Sequence, residues 1–217
     1  MRRLTLGVGL VLGLTSCASH PSTTPSTTPS PSVSRAVDPA NIKRVRPLLP
    51  PDYEIADVVA PVSIAGQWGF GPGFTADPAP CATLADPAAA DAGARGYSAS
   101  GRGGTVYVVV AAAGAPAGGL LDDCGQWTMT FAHTSGTVTL AEPPRVDGAD
   151  TVAMTTATRT VVESGSETNG QASTAQAYLD GYVVIVTLVT DPGSSHPPLD
   201  TRFVDDLLAQ TVTALRG

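Results

Sequence analysis

The 217-residue chain carries 12 basic and 19 acidic residues, a net charge of −7 with histidines neutral, and Lys43 is its one lysine. So acidic a balance excludes a nucleic-acid binder, whose basic surface must neutralise phosphates, and no basic amphipathic segment is present to grip anionic lipid. The length suits one domain with a hydrophobic core of its own.

The first residues follow the order of an export signal, with Arg2 and Arg3 as the basic start and Leu4 to Leu14 as the apolar run. That run is shorter than the roughly 20 residues a membrane-crossing helix needs. It ends in Leu14-Thr15-Ser16-Cys17, which resembles the lipobox of bacterial lipoproteins. The resemblance implies a signal peptide over residues 1–16, cleavage before Cys17 and lipidation (diacylglycerol, palmitate) of that cysteine. The expected location is therefore the extracytoplasmic face of the cell membrane, with the membrane itself a partner through the lipid. The surrounding residues do not support twin-arginine export. Residues 18–34 are almost all Ser, Thr and Pro, too poor in apolar surface to offset the entropy of ordering, so residues 17–40 read as a lipidated cysteine plus tether.

The remaining cysteines are Cys81 and Cys124. With Cys17 assigned to lipid, an oxidising compartment leaves one possible pairing, a Cys81–Cys124 disulfide. A metal or redox pair would want CxxC spacing and nearby histidines, and neither is present.

Residues 41–217 read as a single globular domain. Asn41–Pro51 is an entry segment, with a short helix that the prolines stop. Tyr53–Val59 reads as a strand. Gln67–Phe74 (QWGFGPGF) is an aromatic loop broken by Gly and Pro, and 82–90 suits short helical turns around Pro87. Tyr97–Ser100 and Thr105–Ala112 flank Gly-Arg-Gly-Gly as a hairpin, whose Val106–Val110 run is β-branched on both faces, as in a central strand. Residues 116–123 suit a short helix entering Cys124. Trp127, Met129 and Phe131 then alternate with Thr128 and Thr130, and Ser135-Gly136 is expected to turn that strand into a partner holding Val138 and Leu140. Val152–Val162 alternates similarly. Asn169-Gly170 and Asp180-Gly181 are each expected to be tight hairpin turns, bounding strands at 172–179 and 182–190. The chain closes in an amphipathic helix, with Asp200 as N-cap and Phe203, Val204, Leu207, Leu208, Val212 and Leu215 on one face. The expected fold class is α+β: a single antiparallel β-sheet with packed helices, including that C-terminal helix.

This order of elements resembles an actinobacterial domain of unknown function found in mycobacterial lipoproteins. More distantly it is similar to the extracellular sensor domain of PknH-type receptor kinases. The residues that carry the resemblance are LLDDCGQW (120–127), YVVIVTLVT (182–190) and FVDDLLAQTVTAL (203–215). The sensor-like domains usually hold two disulfides, whereas the strands at 172–190 here contain no cysteine. The resemblance implies an extracytoplasmic binding or sensing module and carries over no catalytic residue.

No nucleophile elbow, zinc-binding helix or phosphate loop is present. His20, His133 and His196 are scattered through tether, turn and loop, and a triad would have to assemble across the fold. Asp122-Asp123 and Asp205-Asp206 lack the spacing of a calcium loop. The glycines at 69–73 and 101–104 read as turn chemistry. Trp68, Phe70 and Phe74 crowd one loop in a chain with 11 aromatics. They either lid the core or line a groove for an apolar or glycolipid ligand. The expected function is a non-catalytic ligand-binding or sensor-like domain of an envelope lipoprotein, not an enzyme, with no cofactor or metal and acting as a monomer. The alternatives are an envelope protein-interaction module and a hydrolase built on His133 or His196.

Overall fold

The computed structural model describes residues 36–190 and 192–217. Cys17, the signal segment and the tether up to residue 35 lie outside the described residues. The strands are β1 (Glu54–Asp57), β2 (Thr75–Asp77), β3 (Arg95–Gly101), β4 (Gly104–Ala112), β5 (Gln126–Phe131), β6 (Thr134–Ala141), β7 (Asp150–Val161), β8 (Glu167–Leu179) and β9 (Tyr182–Thr190). They form one antiparallel sheet in the order β1-β3-β4-β9-β8-β7-β6-β5-β2. The non-local pairing of β4 with β9 joins the N-terminal hairpin to the long meander, which places the β-branched run of β4 inside the sheet as its composition requires.

The expected α+β class is corrected by this architecture. Among the described residues a nine-stranded sheet dominates, with 39% of them in strands and 23% in helices. Among the described residues the α-helices α1 (Ile64–Gln67), α2 (Ala82–Ala85) and α3 (Leu120–Asp123) are single turns, and only α4 (Thr201–Arg216) is a long α-helix. The reason lies in residues 61–94 and 113–119, where prolines and glycines recur too often for a helix to propagate once nucleated.

Both faces of the sheet bear a core. One face meets the layer of residues 58–94, burying Ile64, Trp68, Phe70 and Leu84 against Trp127, Met129, Met154 and Ile185. The opposite face is covered by α4 and by a 3-10 helix over Pro39–Leu48, which bury Ile42, Val45, Leu207, Leu208 and Leu215 against Tyr97, Val108, Val184 and Val186. Alternation in β9 divides Val183 and Ile185 from Val184 and Val186, one pair to each core. The fold is already engaged at Asp38, whose N–H donates to the Leu215 carbonyl. As expected, Asp200 caps α4, its carboxylate accepting from Phe203 N–H at 2.9 Å.

Two turn expectations are corrected. Asn169 and Gly170 lie inside β8, opposite Arg159 and Thr158. The reversal falls at Val162–Ser166, where Val162 N–H donates to Ser166 O at 3.0 Å and Gly165 has φ +79°. Ser135-Gly136 is likewise strand, the β5–β6 turn being Ala132-His133. The Phe70 ring presses onto Gly136, where a Cβ would stand 2.8 Å from it. The glycine that read as a turn is a seat for an aromatic ring. Asp180-Gly181 is a tight turn as expected, with both residues at positive φ.

Candidate functional site

The aromatic loop faces inward. Trp68 is 4% and Phe70 2% exposed, both within the core under the 58–94 layer, and Phe74 is half-buried against the same core. Phe70 and Phe74 meet with ring centroids 6.3 Å apart. Burial follows from composition: the opposing sheet surface offers Gly136, Val138 and Ala172, small residues that leave room for large rings. These aromatics lid the core.

The same layer is fixed by covalent and polar ties. Cys81 and Cys124 form a disulfide with Cα atoms 5.7 Å apart, joining the layer to the chain entering β5. Gln176, fully buried on β8, donates through Nε2 to the Leu84 carbonyl at 2.8 Å and accepts from the Tyr178 hydroxyl at 2.7 Å. Asp91 accepts from the N–H groups of Gly93 and Ala112, both at 2.7 Å. Asp86 accepts from the Ser63 hydroxyl at 2.6 Å and from Ile64 N–H at 2.9 Å, which fastens the start of α1. Burial pushes the Asp86 carboxyl above the usual carboxylate range, and those two hydrogen bonds pull it partly back. Gln176 and Asp86 carried no sequence signal, because their partners lie 92 and 23 residues away.

The open surface lies on the α4 side. There α4 and the 3-10 helix lie over β3, β4, β8 and β9, while β5, β6 and the outer half of β7 stay open, with Thr128, Thr130, Ser135, Thr155 and Ala157 exposed. Alternation that sends Trp127 and Met129 inward sends Thr128 and Thr130 outward, and register lines them up with Ser135, Thr137, Thr155 and Ser173 across the sheet. Two adjoining hollows result. One, of about 550 Å³, runs from Thr137 and Thr139 to Gln171, Ser173 and the N-terminal turn of α4. The other, of about 540 Å³, continues it outward over Thr128, Thr130 and Ser135. The charged side chains of this groove are already engaged, Arg159 in an ion pair with Glu167 and Asp200 as the α4 cap. What remains is an array of hydroxyls and amides able both to donate and to accept. Its signal in the sequence was the polar half of the alternation in β5 and β7.

His133 and His196 are exposed, and neither imidazole has a hydrogen-bond partner among the described residues. Asp122 and Asp123 lie exposed on α3. Among the described residues no group of three or more His, Cys, Asp or Glu could hold a metal ion, and no helix is long and apolar enough to cross a membrane.

Sheet and groove together define a β-sheet domain with a helix-capped core and an open polar face. The chain belongs to the family described as a domain of unknown function, DUF5642, whose profile matches residues 38–216. Its fold is similar to that of an uncharacterised protein from Mycobacterium smegmatis, the Rv0999 ortholog, solved by X-ray crystallography. The two are 24% identical, with a TM-score of 0.57 over 83% of this chain and 98% of the other. No curated protein matches the chain.

Proposed function

We propose that the chain is a cell-envelope lipoprotein, anchored through Cys17 on the extracytoplasmic face, whose domain is a non-catalytic ligand-binding or sensing module. The anchor rests on the lipobox-like Leu14-Thr15-Ser16-Cys17 and the Ser/Thr/Pro run after it. The binding role is carried by one observation, the hydroxyl- and amide-lined groove that α4 leaves bare, of a volume suited to a small or extended polar ligand. The distant likeness to the sensor domains of PknH-type kinases belongs to this same reading. It is supported by Cys124 preceding the Trp127 strand and by the closing helix α4.

Native mass spectrometry of the chain, after incubation with envelope extract, tests the binding role. The wild-type chain retains a ligand, and a Thr137→Val/Thr155→Val variant retains less. A wild-type spectrum without ligand, or equal retention by both, overturns it. The anchor has a separate test. Labelled palmitate is incorporated by the wild type and not by Cys17→Ser, and an unlabelled wild-type chain recovered from the soluble fraction removes the lipoprotein reading.

A further inference from the structure

A third cavity, at the end of the sheet beside the groove, differs in character from the rest of this acidic chain. It encloses about 400 Å³ and is lined by Arg102, Asn169, Ser194 and His196, with Thr105 and Thr168 on its strand side. Among the described residues no carboxylate lines it.

Arg102 stands at the tip of the β3–β4 hairpin, and that tip is held from two directions. The Tyr53 hydroxyl donates to the Arg102 carbonyl, and Leu199 N–H donates to the Gly103 carbonyl at 3.3 Å. Gly103 has φ +96°, and a Cβ on it would lie 3.1 Å from both Pro197 O and Leu199 N. The hairpin and the 197–199 segment therefore interlock, and the backbone beneath Arg102 is set in advance. Its guanidinium, by contrast, has no ion-pair or hydrogen-bond partner among the described residues, whereas Arg46, Arg159 and Arg216 are all engaged.

We infer that this cavity binds the phosphate group of a small ligand, with Arg102 as the charged fork. A guanidinium offers parallel N–H donors that match a bidentate oxyanion, whether carboxylate or phosphate. The remaining donors decide between them. Asn169, Ser194, His196 and Thr105 supply more hydrogen-bonding groups than the two oxygens of a carboxylate would use.

The test is an amide NMR titration of the full chain in a non-ionic detergent, at constant ionic strength. The probes are inorganic phosphate, glycerol 3-phosphate and the short-chain lipid dihexanoylphosphatidylglycerol. Saturable shifts are expected at residues 101–105, 168–169 and 194–196, for either of the first two probes. Arg102→Gln weakens binding about tenfold or more, as loss of a charge-assisted bidentate contact does. Arg145→Gln, which removes an exposed cation outside the cavity, leaves it unchanged. Unshifted α4 resonances in Arg102→Gln show that the variant is folded. Shifts with the lipid alone, abolished in Arg102→Gln, support the same site with a headgroup as its phosphate source. Non-saturable shifts with all three probes, shifts scattered over the surface, or equal losses in the two variants overturn the inference.

Discussion

At the scale of single residues, Phe70 and Asp86 separate what the sequence could say from what it could not. Phe70 reads in the sequence as either lid or ligand contact, and its 2% exposure against Gly136 makes it core. Phe70→Ala should cost about 3–5 kcal/mol, the range for a buried aromatic, read by urea denaturation. An unchanged midpoint would return the ring to the surface. Asp86 gives a pH signature instead. Its folded pKa lies above the ordinary aspartate value, chiefly through burial, so the folded state binds the extra proton. Its contribution to stability is fully present below the ordinary value and is lost as pH rises through the raised one. Asp86→Asn should flatten the stability profile across that acid window while keeping the acceptor that Ile64 N–H needs. Asp205, raised by burial and by Asp206 and Asp200, acts with the same sign, so the slope falls without vanishing. A slope equal to wild type in urea melts across that window would remove Asp86 as a source.

At the scale of elements, legibility followed locality. The helix α4 was readable because its apolar period, its Asp200 cap and its buried face all lie within one short segment. Asp200→Ala should therefore lower stability by about 1 kcal/mol, the usual worth of an N-cap, seen as a lower thermal midpoint. An unchanged midpoint would mean that packing alone holds the first turn. The hairpin turns were only half readable. Asp180-Gly181 and Asn169-Gly170 are equivalent as dipeptides, yet the first reverses the chain and the second pairs with Arg159 and Thr158. What decides is register. Placing the reversal at Val162–Ser166 lets β7 and β8 pair from Asp150–Tyr178 to Val161–Glu167, whereas a turn at 169–170 would forfeit the outer end of that ladder. The edge strand β2 escaped for the opposite reason: at three residues it is too short for alternation to register as a pattern, whereas β1 falls within the strand expected at Tyr53–Val59. The polar groove was visible only as the threonine half of an alternation whose meaning depends on which strands a helix leaves uncovered.

At the scale of the whole molecule, one sheet separates two cores that are covered by different means. On one side α4 is a continuous helix whose periodic face packs over the sheet with the 3-10 helix beside it. On the other, residues 58–94 contribute single turns, loops and the three-residue edge strand β2, whose hydrogen bonds are too few to hold the layer in place alone. The Cys81–Cys124 disulfide and the Gln176–Leu84 bond fasten that side to the sheet. A bridge across a sequence separation of 43 residues restricts the unfolded chain, worth ~4 kcal/mol in the loop-entropy account. Cys81→Ala/Cys124→Ala should therefore lower stability by up to about that amount. The loss should also be local. Amide exchange should accelerate through residues 63–94 and at the start of β5, while α4 keeps its protection, because its cover does not depend on the bridge. Equal acceleration on both faces would mean that the two cores open as one cooperative unit, and no acceleration at 63–94 would mean that packing alone holds the layer.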